Sequence, residues 1–402
     1  MSALLPTELH HFTIVDTVRG LAVACRSVGS QTQIPLPELG DGIPIRSARA
    51  AVIIALQALG MPPGSKIGVP LYCCPVVFKA IKAAGCVPLF LDVNAESFCL
   101  STTDLRAKRS NLDAVIAVHM FGNMCDMPII IDMMKGKPVI EDCAQSIGSK
   151  LSGKACGSFG DISLFSFRSG KYLSTGEGGA LFSKNEDLLL SLSSLTSALP
   201  VPSRREEIRH VLTTYIRSSL RSRRLWGVVG SRIWAAYNKR TDFVDKSPII
   251  LGRIFASNLA TVRRRMPYLD SMIAIQRAHA KYYENNLMLS PHMICKEPPG
   301  FYFNRLMYPI IFPSTGLRDM IASYLRSHGI DSSKPYEEAI TGAAKHYGYT
   351  DKCPVAENLL RRALAIPSYY SLSSSNVEYI TRCINEAWAS SSARRILPNG
   401  KP

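Results

Sequence analysis

The stretch SFRSGKYLSTGEGG, residues 166–179, sets one lysine, Lys171, among serines and glycines straight after the apolar run ISLF. A lysine that attacks an aldehyde must first lose its proton, and burial among small neutral residues favours that form. Ser169 and Gly170 leave room beside it for a planar ring. Asp142 closes the run PVIED. A carboxylate at that point can pair with a protonated ring nitrogen and keep the ring able to absorb carbanion electrons. It can equally cap a helix. Gln145 follows within one turn, and suits either a phenolic oxygen or solvent. Ser166 and the start of the segment 47–60, with Arg49, suggest an anion seat. Helix N-terminal amides and a planar guanidinium both hold phosphate. His119 ends another apolar run, where a substrate contact and a satisfied structural histidine are both open.

These residues need a scaffold that brings strand ends together. SARAAVIIALQALG predicts a helix capped by Ser47 and stopped by Gly60. KIGVPL, VPLFLDV, DAVIAVHMFG, KPVIED, ISLFSF and GALFS predict six short strands. PVVFKAIKAAG and MPIIIDMMKG predict helices between them. Apolar runs of this length alternating with helices predict an α/β fold, a mostly parallel central sheet with helices on both faces. Ligands gather at the carboxyl ends of such strands, where His119, Asp142 and Ser166 fall. After about residue 190 the pattern dissolves. Trp226, Val229, Ile233 and Tyr237 then recur at helical spacing in a basic stretch. From 266 onward a long helix, a strand over YFNRLMYPIIF and two further helices predict a smaller C-terminal α+β domain. The expected division is an N-terminal segment 1–45, a large domain 46–265 with a basic insertion at about 200–265, a small domain 266–390 and a loose tail 391–402.

With 402 residues and 47% hydrophobic content, the chain is long enough for two domains and a large core. No apolar run approaches the roughly 18–20 residues that span a bilayer, and no secretory signal is evident. Eleven cysteines without a Cys-x-x-Cys pair read as free thiols in a reducing cytoplasm, and no metal site is expected. The net charge is +16, and residues 201–270 hold 15 Lys and Arg against 5 Asp and Glu. That segment suits packing on a second subunit or peripheral contact with an anionic membrane. No nucleic-acid motif accompanies the charge.

The motifs SARAAVIIALQALGMPPGSKIGVP, AAGCVPLFLDV, VHMFGNMCDM, VIEDCAQSIGS, GSFGDISLFSFRSGK and GEGGAL occur in this order. Together they resemble the DegT/DnrJ/StrS family of sugar aminotransferases, over about 44–195 and again over about 270–390. The resemblance implies a fold type I transferase dependent on pyridoxal 5'-phosphate, a homodimer with its active site at the subunit interface. By motif, Lys171 would hold the cofactor and carry the proton, and Asp142 would pair with the pyridine nitrogen. Gln145 would touch the phenolic oxygen. Ser166 with the backbone of Ala48 and Arg49 would hold the phosphate. The retained lysine implies transamination, from glutamate or glutamine to a nucleotide-linked keto-sugar. Three positions depart from the pattern. Arg49 replaces a small threonine. Cys74 stands where an aromatic stacks on the ring, with Tyr72 as its substitute. ASNLATVRRR stands in for the motif whose asparagine reaches the partner's phosphate. These departures keep two alternatives open: a lyase, desulfurase or acyl-condensing enzyme on the same cofactor, and a non-catalytic binding protein of the same fold.

Overall fold

A computed structural model describes residues 4–26, 33–231, 233, 248–350 and 352–390. Among them, thirteen strands occur in chain order: β1 Ile34–Leu36, β2 Gly40–Ile45, β3 Lys66–Pro70, β4 Val87–Leu91, β5 Ala114–Val118, β6 Val139–Asp142, β7 Lys150–Leu151, β8 Lys154–Ala155, β9 Ile162–Ser166, β10 Gly179–Phe182, β11 Phe301–Tyr302, β12 Tyr308–Ile311 and β13 Ala363–Ile366. Eight of these form one sheet in the order β1-β2-β10-β9-β6-β5-β3-β4. The run from β9 through β6, β5 and β3 to β4 is parallel throughout. β10 runs antiparallel to both β9 and β2. All six predicted strands are present. Every residue of β5 and β6 is buried, as continuous apolar runs in a doubly covered parallel sheet require.

The order of connection creates the crevice. The chain leaves β3 for β4 at one edge, then returns to β5 on the other side of β3. The segments after β3 and β5 therefore diverge at the kind of switch point where such sheets take their ligands. Helix Ala48–Ala58 begins where predicted, with Ser47 Oγ accepting the Ala50 amide at 3.3 Å. Residues 50–56 are all buried, and the helix packs against β9 and β10.

Beyond residue 190 the structure is more regular than the sequence pattern suggests. Helices Glu186–Ser197 and Arg204–Leu220 follow in succession. The second opens on a capping box: Ser203 Oγ accepts the Glu206 amide, and the Glu206 carboxylate accepts the Ser203 amide at 2.8 Å. It packs against an unpredicted helix, Ile14–Arg26. The expected apolar stripe is not one face. Trp226 is buried in a π-helical turn Trp226–Gly230, whereas Val229 and Ile233 are exposed. Tyr237 lies outside the described residues, as does the tail 391–402.

YFNRLMYPIIF is two strands rather than one. β11 pairs with β7, and β12 pairs with β13. The break falls at Arg305, whose φ is +58°. Its guanidinium holds the turn by donating to Cys295 O at 2.9 Å and Glu284 Oε1 at 2.6 Å. Helices Ala339–Tyr347 and Pro354–Arg362 also escaped the sequence pattern.

Two apolar cores result. One surrounds the large sheet; the other joins Ile310, Phe312, Leu364 and Ile384 to Leu5 from the start of the chain. Helix Leu269–Asn286 enters both: Leu269 and Ile273 lie in the first, Ala280 and Tyr283 in the second.

Candidate active site

Asp142 is the last residue of β6, beside Val118 on β5 and Leu164 on β9. Its side chain is buried, and Oδ1 accepts the Ala144 amide at 2.9 Å. Burial raises its pKa, against the Ala144 amide and the nearby Lys171 ammonium. A buried carboxylate with so few donors favours a cation brought into its crevice.

Lys171 lies on the bend after β9. The bend is fixed on both sides. Thr175 N donates to Phe167 O at 2.8 Å, and the buried Tyr172 hydroxyl donates to Asn304 O at 2.6 Å. Gly170 before it has φ +86°, and a Cβ there would come within 2.5 Å of the Glu8 carboxylate. Burial and the Arg168 guanidinium lower the Lys171 pKa to about 8, with Glu8, Cys74 and Asp142 acting the other way. A useful fraction of this amine is therefore neutral near neutral pH, unlike an ordinary lysine.

The expected anion seat gathers at the helix N-terminus. Ser166 pairs in register with Gly179 on β10, and Ser47 bridges Gly178. A Cβ at Gly179 would fall 2.9 Å from Ala48 N, so only glycine lets β10 close on this turn. Ser166 Oγ accepts the Arg168 amide at 3.4 Å. Arg49 is half-buried and stands 3.9 Å from Glu177, whose other oxygen accepts Arg46 Nε at 2.9 Å. Ala48 and Arg49 are thus part-exposed at the first turn of the helix.

Gln145 is buried beside the crevice. Its Oε1 accepts the Phe121 amide at 3.3 Å, and Nε2 donates to the Tyr336 hydroxyl at 3.2 Å. Tyr336 was not legible in the sequence, because it lies 191 residues away and carries no local motif. Cys74 is half-buried. It presents no aromatic face.

Two candidate contacts, His119 for the substrate and Tyr72 for the ring or the substrate, lie inside the core. His119 is fully buried, and both ring nitrogens are taken. Nδ1 accepts the Cys125 amide at 3.1 Å, and Nε2 meets Glu141 Oε1 at 2.8 Å. Glu141 also accepts the amides of Gly157, Phe159 and Gly160. The histidine therefore braces the sheet rather than facing a ligand. Tyr72 is also fully buried, enclosed by Phe98 at 5.1 Å and Phe121 at 5.8 Å between ring centroids. It cannot offer its face to a ring in the crevice. The Asn258 amide is engaged within its own chain, donating to Glu177 O at 2.8 Å and meeting His210 Nε2 at 3.0 Å.

The residues fit pyridoxal phosphate on three counts. Asp142 is a buried carboxylate favouring a cation, Lys171 is an amine near its neutral form, and Gly179 leaves the first-turn amides of the 48–58 helix approachable. The sequence profile of the DegT/DnrJ/EryC1/StrS aminotransferase family matches residues 39–212 and 231–385. The chain belongs to this family. It is a pyridoxal-phosphate-dependent aminotransferase. The DegT/DnrJ/EryC1/StrS relatives include GDP-perosamine synthase of Escherichia coli O157:H7, 29% identical over 86% of this chain and 85% of the relative. They also include the UDP-N-acetyl-3-dehydro-alpha-D-glucosamine 3-aminotransferase of Acidithiobacillus ferrooxidans, 28% identical over 87% and 85%. Among solved structures, S. venezuelae DesV in complex with a ketimine intermediate superposes with a TM-score of 0.73. It is 21% identical, covering 94% of this chain and 95% of that one. At that identity the likeness carries the fold alone.

Proposed function

We propose that the enzyme takes an amino group from glutamate or glutamine and delivers it to a keto-sugar carried on a nucleotide. Its relatives' names, which include GDP- and UDP-linked sugars, support this acceptor class. The observation that carries the reading is the Lys171 amine, lowered to about 8, within electrostatic reach of the Asp142 carboxylate at the end of β6.

When bound, the cofactor supplies an electron sink for the carbanion formed at the donor's Cα. Asp142 would hold the ring nitrogen, Gln145 the phenolic oxygen, and Ser166 with the first turn at Ala48 and Arg49 the phosphate. Lys171 moves a proton at its Nζ, a task suited to a group whose pKa lies near the working pH. Cys74 would stand beside the ring and give it no aromatic cover. Asp142 is largely shielded from water at the end of β6.

The sulfur-transfer alternative is disfavoured at Cys73, which is fully buried, with burial pushing its thiol pKa well up. A functional homodimer accords with the family and with Ile14, Val15 and Val18, each more than half exposed on one helix.

Incubating the enzyme with glutamate and a GDP- or UDP-linked keto-sugar, with mass detection of 2-oxoglutarate and the amino-sugar, tests the reading. Both products are expected from the parent, and Lys171→Ala should lose turnover by about 10²-fold or more. Full turnover by that variant would sink the mechanism.

A further inference from the structure

Tyr336 stands over the carboxyl ends of three strands of the large sheet. Its ring packs edge-on against Tyr72 after β3, with centroids 6.1 Å apart, and stacks on Phe121 after β5 at 6.5 Å and 13°. Its hydroxyl meets Gln145 Nε2 after β6 at 3.2 Å. Phe121 and Tyr336 both have left-handed backbones, with φ of +61° and +60°. Bulky side chains seldom adopt that conformation, and it persists only where the surroundings impose it. Here the two strained residues converge on one side-chain amide. Phe121 N donates to its oxygen at 3.3 Å, and Tyr336 holds its nitrogen.

The directions of these bonds follow from the groups themselves. A backbone N–H can only donate, so the Gln145 atom that faces Phe121 N is the oxygen. The nitrogen then faces Tyr336, and it too can only donate. Both its hydrogens are taken: one by the Tyr336 oxygen, the other by the Met120 sulfur at 3.3 Å. Tyr336 therefore accepts from Gln145, and its own hydrogen points elsewhere. Among the described residues no side chain or carbonyl accepts it. The residue is half-buried, and burial raises its pKa well above the ordinary value, so the hydroxyl keeps that hydrogen. The titratable and charged groups around it are Cys73, Cys74 and Tyr72 on the segment after β3 and Arg168 on the lysine bend. A hydroxyl so placed offers one proton to an oxyanion brought into the crevice.

We propose that Tyr336 donates its hydroxyl hydrogen to the phenolic oxygen of bound pyridoxal phosphate, and that Gln145 acts on that oxygen through Tyr336. The proposal rests on the reading of this crevice as the cofactor site. Gln145 and Phe121 are positioning residues: they turn the hydroxyl, and Tyr336 makes the contact. The strained backbones at 121 and 336 fix the donor before the cofactor arrives. A donor on the phenolic oxygen draws electron density from it and weakens its grip on the proton shared with Lys171 Nζ. Tyr336 therefore sets the pH at which that proton leaves.

The visible absorbance of the holoenzyme, titrated with pH, reads that proton. It is measured in the parent, Tyr336→Phe, Gln145→Ala and the double variant. Tyr336→Phe keeps the ring and its stacking, and should raise the midpoint by about one pH unit or more, the worth of a hydrogen bond to a charged oxygen. Gln145→Ala should raise it less, since the hydroxyl stays but turns more freely. The double variant should match Tyr336→Phe alone, because Gln145 works through the tyrosine. An unmoved midpoint in Tyr336→Phe overturns the proposal. So do single shifts that add in the double variant, which would mean that Gln145 reaches the oxygen by itself. A crystal structure of the parent holoenzyme is the second readout. A Tyr336 hydroxyl beyond hydrogen-bonding distance of the phenolic oxygen overturns the proposal, even if a variant loses its fold. Release of 2-oxoglutarate from glutamate is measured in parallel. If release occurs and Tyr336→Phe leaves the midpoint unmoved, the tyrosine falls and the aminotransferase reading stands. If the midpoint shifts as expected and no 2-oxoglutarate appears, the tyrosine stands and the donor reading falls.

Discussion

Lys171 gives the folded chain a proton-linked cost. Its pKa falls from 10.5 to about 8 on folding, first through burial and then through Arg168. The folded state therefore binds fewer protons than the unfolded state between those values. The cost is full below pH 8 and fades as pH rises through 10.5. In the cofactor-free protein, Lys171→Met should raise stability at pH 7 by at most about 3 kcal/mol, less whatever solvent screens. Urea titrations at pH 7 and pH 11 check this: the gain should be present at the first and absent at the second. His119 carries a different prediction. Removing it by His119→Ala leaves the fully buried Glu141 carboxylate without its side-chain partner, at a cost of about 3 kcal/mol in a denaturant titration. At this scale the sequence was legible wherever function lies in a compact motif. The candidate residues Asp142, Gln145, Ser166 and Lys171 sit within 30 residues, in consecutive motifs that group them in the sequence. Arg168 sits inside the same motif and was passed over. Glu8 and Tyr336 were not readable, since each reaches the crevice from a distant part of the chain with no signature of its own. His119 left two readings open because a strand end fixes where a side chain begins, not which side of the sheet it enters; Tyr72 was suggested by its nearness to Cys74 in the sequence, which does not fix the depth of its ring.

Among the elements, the junction of β10 with the 48–58 helix positions the phosphate end. The closeness of Gly179 to Ala48 N makes this contact backbone on backbone, with no side chain able to yield. Gly179→Ala should push the helix turn outward and cut cofactor retention about tenfold or more, with the fold kept. Absorbance after dialysis, beside an unchanged circular dichroism spectrum, checks it. The strands of the large sheet were legible because each is a short apolar run between turn residues. The helices Ile14–Arg26 and Arg204–Leu220 were not, because the faces they bury are mostly small or polar: Asp16, Thr17, Gly20 and Ala24 on the first, Glu207, Val211, Thr214 and Ser218 on the second. The capping box at Ser203 and Glu206 was the signal available for the second. The broken strand at Arg305 had no such signal, since its turn depends on Glu284 and on Cys295 O.

For the whole molecule, the basic segment holds less free charge than its composition suggests. Arg221 pairs with Glu8, while Arg264 and Arg265 pair with Asp16. Arg253 and Arg263 donate to the carbonyls of Ser197 and Gln33. Any contact with an anionic membrane must draw on the arginines outside these pairs. A homodimer predicts a solution mass about twice the 44.2 kDa of one chain, by light scattering at micromolar concentration. The long helix Leu269–Asn286 bears on how such a molecule comes apart. Its Gln276 amide, between the two cores, donates to the carbonyls of Arg305 and Ser368 at 2.7 and 2.8 Å. Neither core can melt without fraying a rod that the other still grips. Scanning calorimetry of the cofactor-free protein should therefore trace one endotherm, and two resolved peaks would mean that the rod snaps in the middle.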